Sequence, residues 1–261
     1  MQVRWMFLDS GERTGAENMT VDEALARELA AGTGRPTFRL FQWHPWAISL
    51  GHHQDSGEIN AQRAAADGID VVRRPTGGRA ILHADELTYS VTMPAGRRGI
   101  LQVYNAISKA LVRGLRQYGV DVALQKSQPD FAVEYRNPSS IPCFSSSARY
   151  EIEWRGRKLV GSAQRRFSGP AGDVVLQHGS ILCGPAHVRL AEYLAIHDAA
   201  LLGRIRRTLE ERTAHLAAIT GAEVDFVRLA SCLRRGFEEE WGISFTPASR
   251  EHLHAQSAHA T

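Results

Sequence analysis

Between Thr37 and Leu182 the apolar residues of this chain come in short runs broken by glycine, proline and polar residues. The first runs are Thr37 to Phe41, Ala47 to Leu50, Asp70 to Arg73, Ala80 to His83 and Leu87 to Met93. Segments this short cannot be long helices, and their β-branched and aromatic content predicts strands. Further along, Arg149 to Trp154 and Arg157 to Arg165 flank Arg155-Gly156, the pattern of a hairpin, and Asp173 to Leu182 reads as one more strand. So many short strands, together with the helical stretches that follow, suggest a sheet that buries itself against helices.

The helices are legible by period. Thr20-Val21-Asp22-Glu23 reads as a capping box opening a helix with Val21, Leu25 and Leu29 on one face and Gly32 near its end. Val103, Ile107, Leu111 and Leu115 mark a second helix from about Leu101 to Tyr118, stopped by Gly119. From His187 onward the period is helical, most clearly at Phe226, Leu229, Leu233 and Phe237. The expected fold is α/β (α+β): one domain over residues 1–250 with a mostly antiparallel mixed sheet flanked by helices and a helical C-terminal part. Residues 251–261, rich in His and Ala, are expected to be a frayed tail.

Several functions are disfavoured by composition. Apolar residues at 43% and charged residues at 23% are ordinary for a soluble globular protein, and no run of apolar residues is long enough to span a bilayer. Met1 to Met6 turns polar too soon for a signal peptide. A net charge of +3 falls far short of a nucleic-acid binder's basic patches. Three scattered cysteines make no disulfide framework, so a reducing cytoplasm is expected. None of the 11 histidines has zinc-site spacing, so no metal is assigned.

Among groups that could do chemistry, Cys143 stands out because Asp130 to Ser147 reads as a long polar loop, whereas Cys232 sits in a core stripe between Leu229 and Leu233. Cys143 is either a semi-buried loop residue or a nucleophile, and a nucleophilic thiol needs a cation or base nearby. Lys158 is a candidate cation. Alternation places it with Val160, Ser162 and Gln164, but it could equally be a solvated lysine at a hairpin tip. Arg73 to His83 carries Gly77-Gly78, which permits close backbone approach to a ligand. It matches neither a Walker loop nor a dinucleotide fingerprint, and composition alone favours a simple hairpin turn with His83 in the core. Ser145 to Ser147 lack a nucleophile elbow.

Taken in order, several segments resemble one family. They are Ser10 to Met19 with Asp22 to Leu25, Ala47 to Gly51, Arg73 to Ala80 with His83, Cys143-Phe144, Tyr150-Glu151, Gly156 to Gln164, and Gln177 to Ser180. Together they are similar to the biotin/lipoate protein ligase catalytic domain, and within it to the cysteine-dependent octanoyltransferase (LipM-type) branch. The resemblance implies transfer of octanoyl from octanoyl-acyl carrier protein, through a Cys143 thioester, to a lysine of a lipoyl domain or glycine-cleavage H protein. It implies Lys158 as the cation that favours the thiolate and polarises the acyl carbonyl. It places Arg74, Thr76, Gly77, Gly78, Arg79, Ala80, His83, Gly161, Ser162, His178 and Gly179 around the substrate. No cofactor, nucleic acid or membrane enters.

Three alternatives remain at this point. ATP-dependent lipoate ligases of the superfamily typically carry a third glycine where Arg79 stands and do not need the cysteine. Some relatives move octanoyl from H protein to other lipoyl domains. A non-catalytic carrier-protein binding module is disfavoured by the presence of both Cys143 and Lys158. A repressor role is disfavoured because the resemblance begins almost at Met1.

Overall fold

The computed structural model describes residues 4–125 and 151–247. β1 (Trp5–Arg13) runs straight into α1 (Gly15–Ala31). Thr14 caps that helix. Its hydroxyl accepts from the Glu17 amide while the Glu17 carboxylate accepts from the Thr14 amide. The helix therefore starts at this earlier capping box, not at Thr20. Thr20 to Glu23 lie inside the helix because Asp22 is turned inward and neutralised there, as described below. Gly32 ends α1 in the left-handed region at φ 85.

β2 (Thr37–Trp43), β3 (Ala47–Leu50), α2 (Ala61–Ala66), β4 (Asp70–Arg73), β5 (Ile81–His83) and β6 (Glu86–Pro94) follow. Then come α3 (Ile100–Tyr118), β7 (Ala123–Leu124), β8 (Ile152–Trp154), β9 (Arg157–Phe167) and β10 (Val174–Leu182). A 3-10 helix (Ala186–Tyr193), α4 (Ala199–Arg212), α5 (Leu216–Thr220), α6 (Phe226–Trp241) and β11 (Phe245–Pro247) complete the described chain. The β8–β9 hairpin turns at Arg155 and Gly156, both with positive φ, as a two-residue connection requires. The expected loop at 130–147 and tail at 251–261 lie outside the described residues.

Eight strands form one sheet in the order β11-β1-β2-β6-β10-β9-β8-β7. β1 pairs in parallel with β11 and β2, and the remaining neighbours are antiparallel. β6 and β10 are buried along almost their whole length, because helices cover both faces. α1 covers one face through Val21 and Leu25 on Met6 and Leu8, and through Ala26 and Leu29 in a cluster with Phe167 and Leu176. Val103, Ile107 and Leu111 of α3 join Leu229, Leu233 and Phe237 of α6 in the main core with Phe38, Leu40 and Val91. α3 and α6 touch backbone to backbone. A Cβ on Gly236 would lie 2.7 Å from Ala110 O, and one on Gly114 2.7 Å from Leu233 Cα.

A second, three-stranded sheet, β4-β3-β5, carries the glycine loop. β4 runs parallel to β3 and β5 antiparallel to it, so Arg74 to Ala80 crosses over the end of β3 and is not a hairpin turn. Gly78 takes φ 97, and a Cβ on Gly51 would collide with the Gly78 carbonyl. The loop thus lies directly against the end of β3.

Candidate active site

The two sheets and α1 enclose a cavity lined by Met19, Trp43, Ser49, Arg74, Ile81, His83, Thr88, Gly161, Ser162, Ala163, His178, Gly179 and Ser180. Its free volume is about 20 Å³, the space of a single water. Gly179 and Gly161 keep one wall thin. β10 lays Gly179 opposite Ser162, and a Cβ there would come within 2.8 Å of the Tyr89 ring.

Two buried hydrogen-bonded chains, each built on a histidine and a carboxylate, hold the glycine loop. In the first, Arg39 of β2 places Nη1 2.8 Å from Asp22 Oδ1, with both side chains fully buried. Asn18 takes the other Arg39 nitrogen at 2.6 Å, Ser10 takes Nε at 2.7 Å, and Ser90 donates to Asp22 at 2.7 Å. Asp22 Oδ2 faces His178 Nδ1 at 3.0 Å, and His178 Nε2 lies 2.5 Å from the Thr76 hydroxyl in the loop. Burial acts to raise the Asp22 carboxyl, but Arg39, His178 and Ser90 outweigh it and hold the pKa below the usual carboxylate value. Burial pushes the His178 pKa down despite Asp22. A neutral ring donating from Nδ1 to a carboxylate accepts at Nε2, so the Thr76 O–H points to His178.

In the second chain, His83 Nδ1 lies 2.8 Å from Glu86 Oε1 and His83 Nε2 2.7 Å from Ser49 Oγ. Thr88 and Ser180 also donate to Glu86 Oε1, at 2.5 and 2.9 Å. Trp43 stacks on the His83 ring at 4.0 Å and donates to Thr88. Ser49 accepts from Arg74 Nη1 at 3.1 Å, and Arg74 also donates to the carbonyls of Ser49, Gly77 and Arg79. Arg74 is thereby a clamp on the loop backbone as well as part of the cavity wall.

Of the residues expected around a substrate, Arg74, His83, Gly161, Ser162, His178 and Gly179 line the cavity, and Thr76 stands behind it on His178. Gly77 and Gly78 are exposed on the loop. Two residues are placed differently. The Arg79 guanidinium pairs with Glu58 at 3.1 Å, outside the wall, and Ala80 is fully buried in the core. His83 is both a core histidine with its ring satisfied and a wall residue.

Lys158 is not a solvated tip residue. It is 1% exposed, and its Nζ lies 2.7 Å from Glu151 Oε1. A register shift between β8 and β9 at Ile152/Glu153 interrupts the simple alternation, so Lys158, Leu159 and Val160 are all buried. The Glu151 charge is felt at Tyr89, which touches Ser162 of the cavity wall. That phenol, 2.6 Å from Ser162 Oγ, is pushed up to about 12, first by burial and further by the Glu151 charge. Cys143 lies outside the described residues. Cys183 and Cys232 are buried, and burial followed by the Glu86 charge pushes the Cys183 thiol up, away from the thiolate.

The sequence reading left Asp22, Arg39, Ser49, Glu86 and Glu151 without roles. An arginine inside the apolar run Thr37 to Phe41 was the visible sign, because such a charge is rarely buried unless paired. Among the described residues no group of three or more His, Cys, Asp or Glu side chains could hold a metal ion. No described helix is long and apolar enough to cross a membrane.

Comparison with known proteins converges on one group. The profile of the lipoyl protein ligase A/B catalytic domain matches residues 14–238. Octanoyltransferase LipM of Kyrpidia tusciae is 39% identical over 93% of this chain and 89% of its own. Octanoyltransferase LipM of Symbiobacterium thermophilum is 35% identical over 98% and 94%. The bipartite lipoate protein ligase of Thermoplasma acidophilum superposes with a TM-score of 0.78 at 20% identity, covering 99% of this chain and 92% of that one. A lipoate-protein ligase A solved with ATP gives 0.74, also at 20% identity, covering 99% and 94%. With a profile match over most of its length and relatives above 30% identity, the chain belongs to the lipoyl protein ligase A/B catalytic-domain family, on its LipM octanoyltransferase branch.

Proposed function

We propose that this chain transfers an octanoyl group from an acyl carrier protein thioester to a lysine ε-amine on a lipoyl domain or glycine-cleavage H protein, in the cytoplasm. One observation carries the reading. Segments far apart in the chain, from α1, β3, the glycine loop, β9 and β10, converge on one buried cavity whose wall joins Met19, Trp43 and Ile81 to glycines, small hydroxyl groups, two histidines and Arg74. In the first step the Cys143 thiolate attacks the donor's carbonyl carbon, a new C–S bond forms, and the donor thiolate leaves. In the second, the acceptor's amine attacks the enzyme thioester, the C–N bond forms, and Cys143 departs as thiolate. The acceptor ammonium gives up two protons overall: one can return to a thiolate and one goes to solvent. The donor arrives activated, so the route needs no ATP.

Lys158, paired with Glu151 beside the cavity wall, is suited to stabilise charge on the acyl oxygen once an acyl group is present. His178 and His83, fixed by Asp22 and Glu86, keep the loop in place. The test is the mass of a lipoyl domain after incubation with the chain and octanoyl-acyl carrier protein. One octanoyl group should be added without ATP or magnesium. Attachment of free octanoate or lipoate only when ATP is supplied would identify a ligase instead.

A further inference from the structure

Positive charge gathers on the outside of the glycine loop. His52 and His53 stand exposed in the turn after β3, their rings edge to face with centroids 4.6 Å apart. The His52 amide donates to the Thr76 carbonyl at 2.8 Å, so the turn is tied to the loop. Arg73, also exposed, leads into the loop and donates to the carbonyls of Gly51, His52 and Gln54. Arg165, half-buried on β9, donates to the Pro75 carbonyl at 3.0 Å and lies over the Phe167 ring. Main-chain oxygens thus hold both guanidinium groups in place, and neither is paired with a carboxylate among the described residues. His52 sits in the resulting field. Its pKa is depressed, first by lost hydration and then by the Arg165, His53 and Arg73 charges. Glu23 opposes them, but its carboxylate is taken by Arg27 at 3.0 Å. On the loop's inner side, Thr76 meets His178 of the cavity wall. The collar therefore stands one loop's thickness from the cavity.

We propose that this collar, His52, His53, Arg73 and Arg165, is the docking surface for the donor carrier protein, which meets it with a carboxylate-bearing face. The assignment rests on the acyl-transfer reading above. An exposed field of one sign steers an oppositely charged partner and repels a like one. Of the two partners in that reading, the acceptor has to bring an ammonium to the cavity, and the collar opposes it. The donor brings an uncharged thioester, so an acidic face around its acyl arm does not conflict with the chemistry.

The test follows acylation of the full chain by intact mass, with octanoyl-acyl carrier protein as donor. Two controls lack a protein face: octanoyl-N-acetylcysteamine is an uncharged thioester, and octanoyl-coenzyme A adds phosphates. The double variant His52→Glu/His53→Glu should lower kcat/KM with the carrier by about tenfold and flatten its decline with rising salt. It should keep the wild-type rate with octanoyl-N-acetylcysteamine, which also shows that the fold and the loop are intact. An unchanged rate with the carrier overturns the surface. So does an equal loss with the uncharged thioester, which would mean that the histidines only hold the loop. An equal loss with octanoyl-coenzyme A would make phosphate the anion recognised, and a loss confined to transfer from acylated chain to lipoyl domain would make this the acceptor's surface; both overturn the proposal. A chain that no donor acylates would defeat the acyl-transfer reading instead. Fluorescence anisotropy of a labelled octanoyl-carrier would still decide the collar, with weaker binding to the double variant expected and equal binding contradicting it.

Discussion

Pairing with Glu151 changes what Lys158 can be expected to do for the proposed Cys143 thiolate. Taken alone, Lys158 would lower a neighbouring thiol's pKa by its full charge. Paired at 2.7 Å and almost fully buried, it shares that charge with Glu151. Glu151→Gln keeps the shape and removes the countercharge. Alkylation of Cys143 by iodoacetamide should therefore shift to lower pH in this variant, and an unshifted profile would show that Lys158 does not act on the thiol. Lys158→Met should act oppositely, but it leaves Glu151 as an uncompensated buried charge. It should lower the unfolding free energy by about 3 kcal/mol in urea titrations, and pairing it with Glu151→Gln should recover most of that loss. Lys158 was legible in the sequence only as a candidate, and its environment was not. A buried lysine and a solvated one look alike in a hairpin until Glu151, just before β8, is brought across to it. The same holds for Asp22 and Arg39, which lie far apart in the chain and explain each other only in space.

At the scale of elements, glycine and proline punctuation made the strand boundaries readable, and β3 and β4 occupy the residues expected. The start of α1 was misplaced because two capping-box patterns lie within one turn or two of each other, and only the inward path of Asp22 decides between them. The glycine loop looked like a hairpin turn because composition does not reveal that β3 lies between β4 and β5. That placement makes Gly51 a sensitive position. Gly51→Ala pushes against the Gly78 carbonyl and should displace the loop, cutting acyl transfer by on the order of 100-fold as positioning is lost. The thermal unfolding midpoint should fall only modestly in the same variant. A second element-scale prediction concerns the 3-10 helix after β10. His187 ties it to the end of α4 through Thr213 at 2.8 Å, and burial holds the His187 pKa at about 4. As pH falls from about 6.5 toward 4, the unfolded chain takes up a proton that the folded chain refuses. Folding stability therefore drops across that window, by roughly 3 kcal/mol at its acid end. Denaturation across pH should show this slope, and His187→Gln should flatten it by about one proton.

At the scale of the molecule, a sheet covered by α1 on one face and by α3 and α6 on the other brings residues as far apart as Met19 and Ser180 to one cavity. The helices of this packing are readable from periodicity, because α3 and α6 carry continuous apolar stripes. The burial of both sheet faces is not, because Glu86, Thr88, Ser90 and Thr92 alternate along β6 as they would on a strand with one wet face. The cavity itself was readable only through resemblance, since its wall residues come from short segments far apart in the chain that share no periodic signature. The proposed covalent route runs through Cys143. Cys183 and Cys232 are both packed inside the main core. Intact-mass analysis of the chain after incubation with octanoyl-acyl carrier protein, without ATP, tests this most directly. The account predicts one added octanoyl group on the wild type, on Cys183→Ala and on Cys232→Ala, and none on Cys143→Ala, which should also fail to octanoylate a lipoyl domain. Wild-type turnover by Cys143→Ala would contradict it.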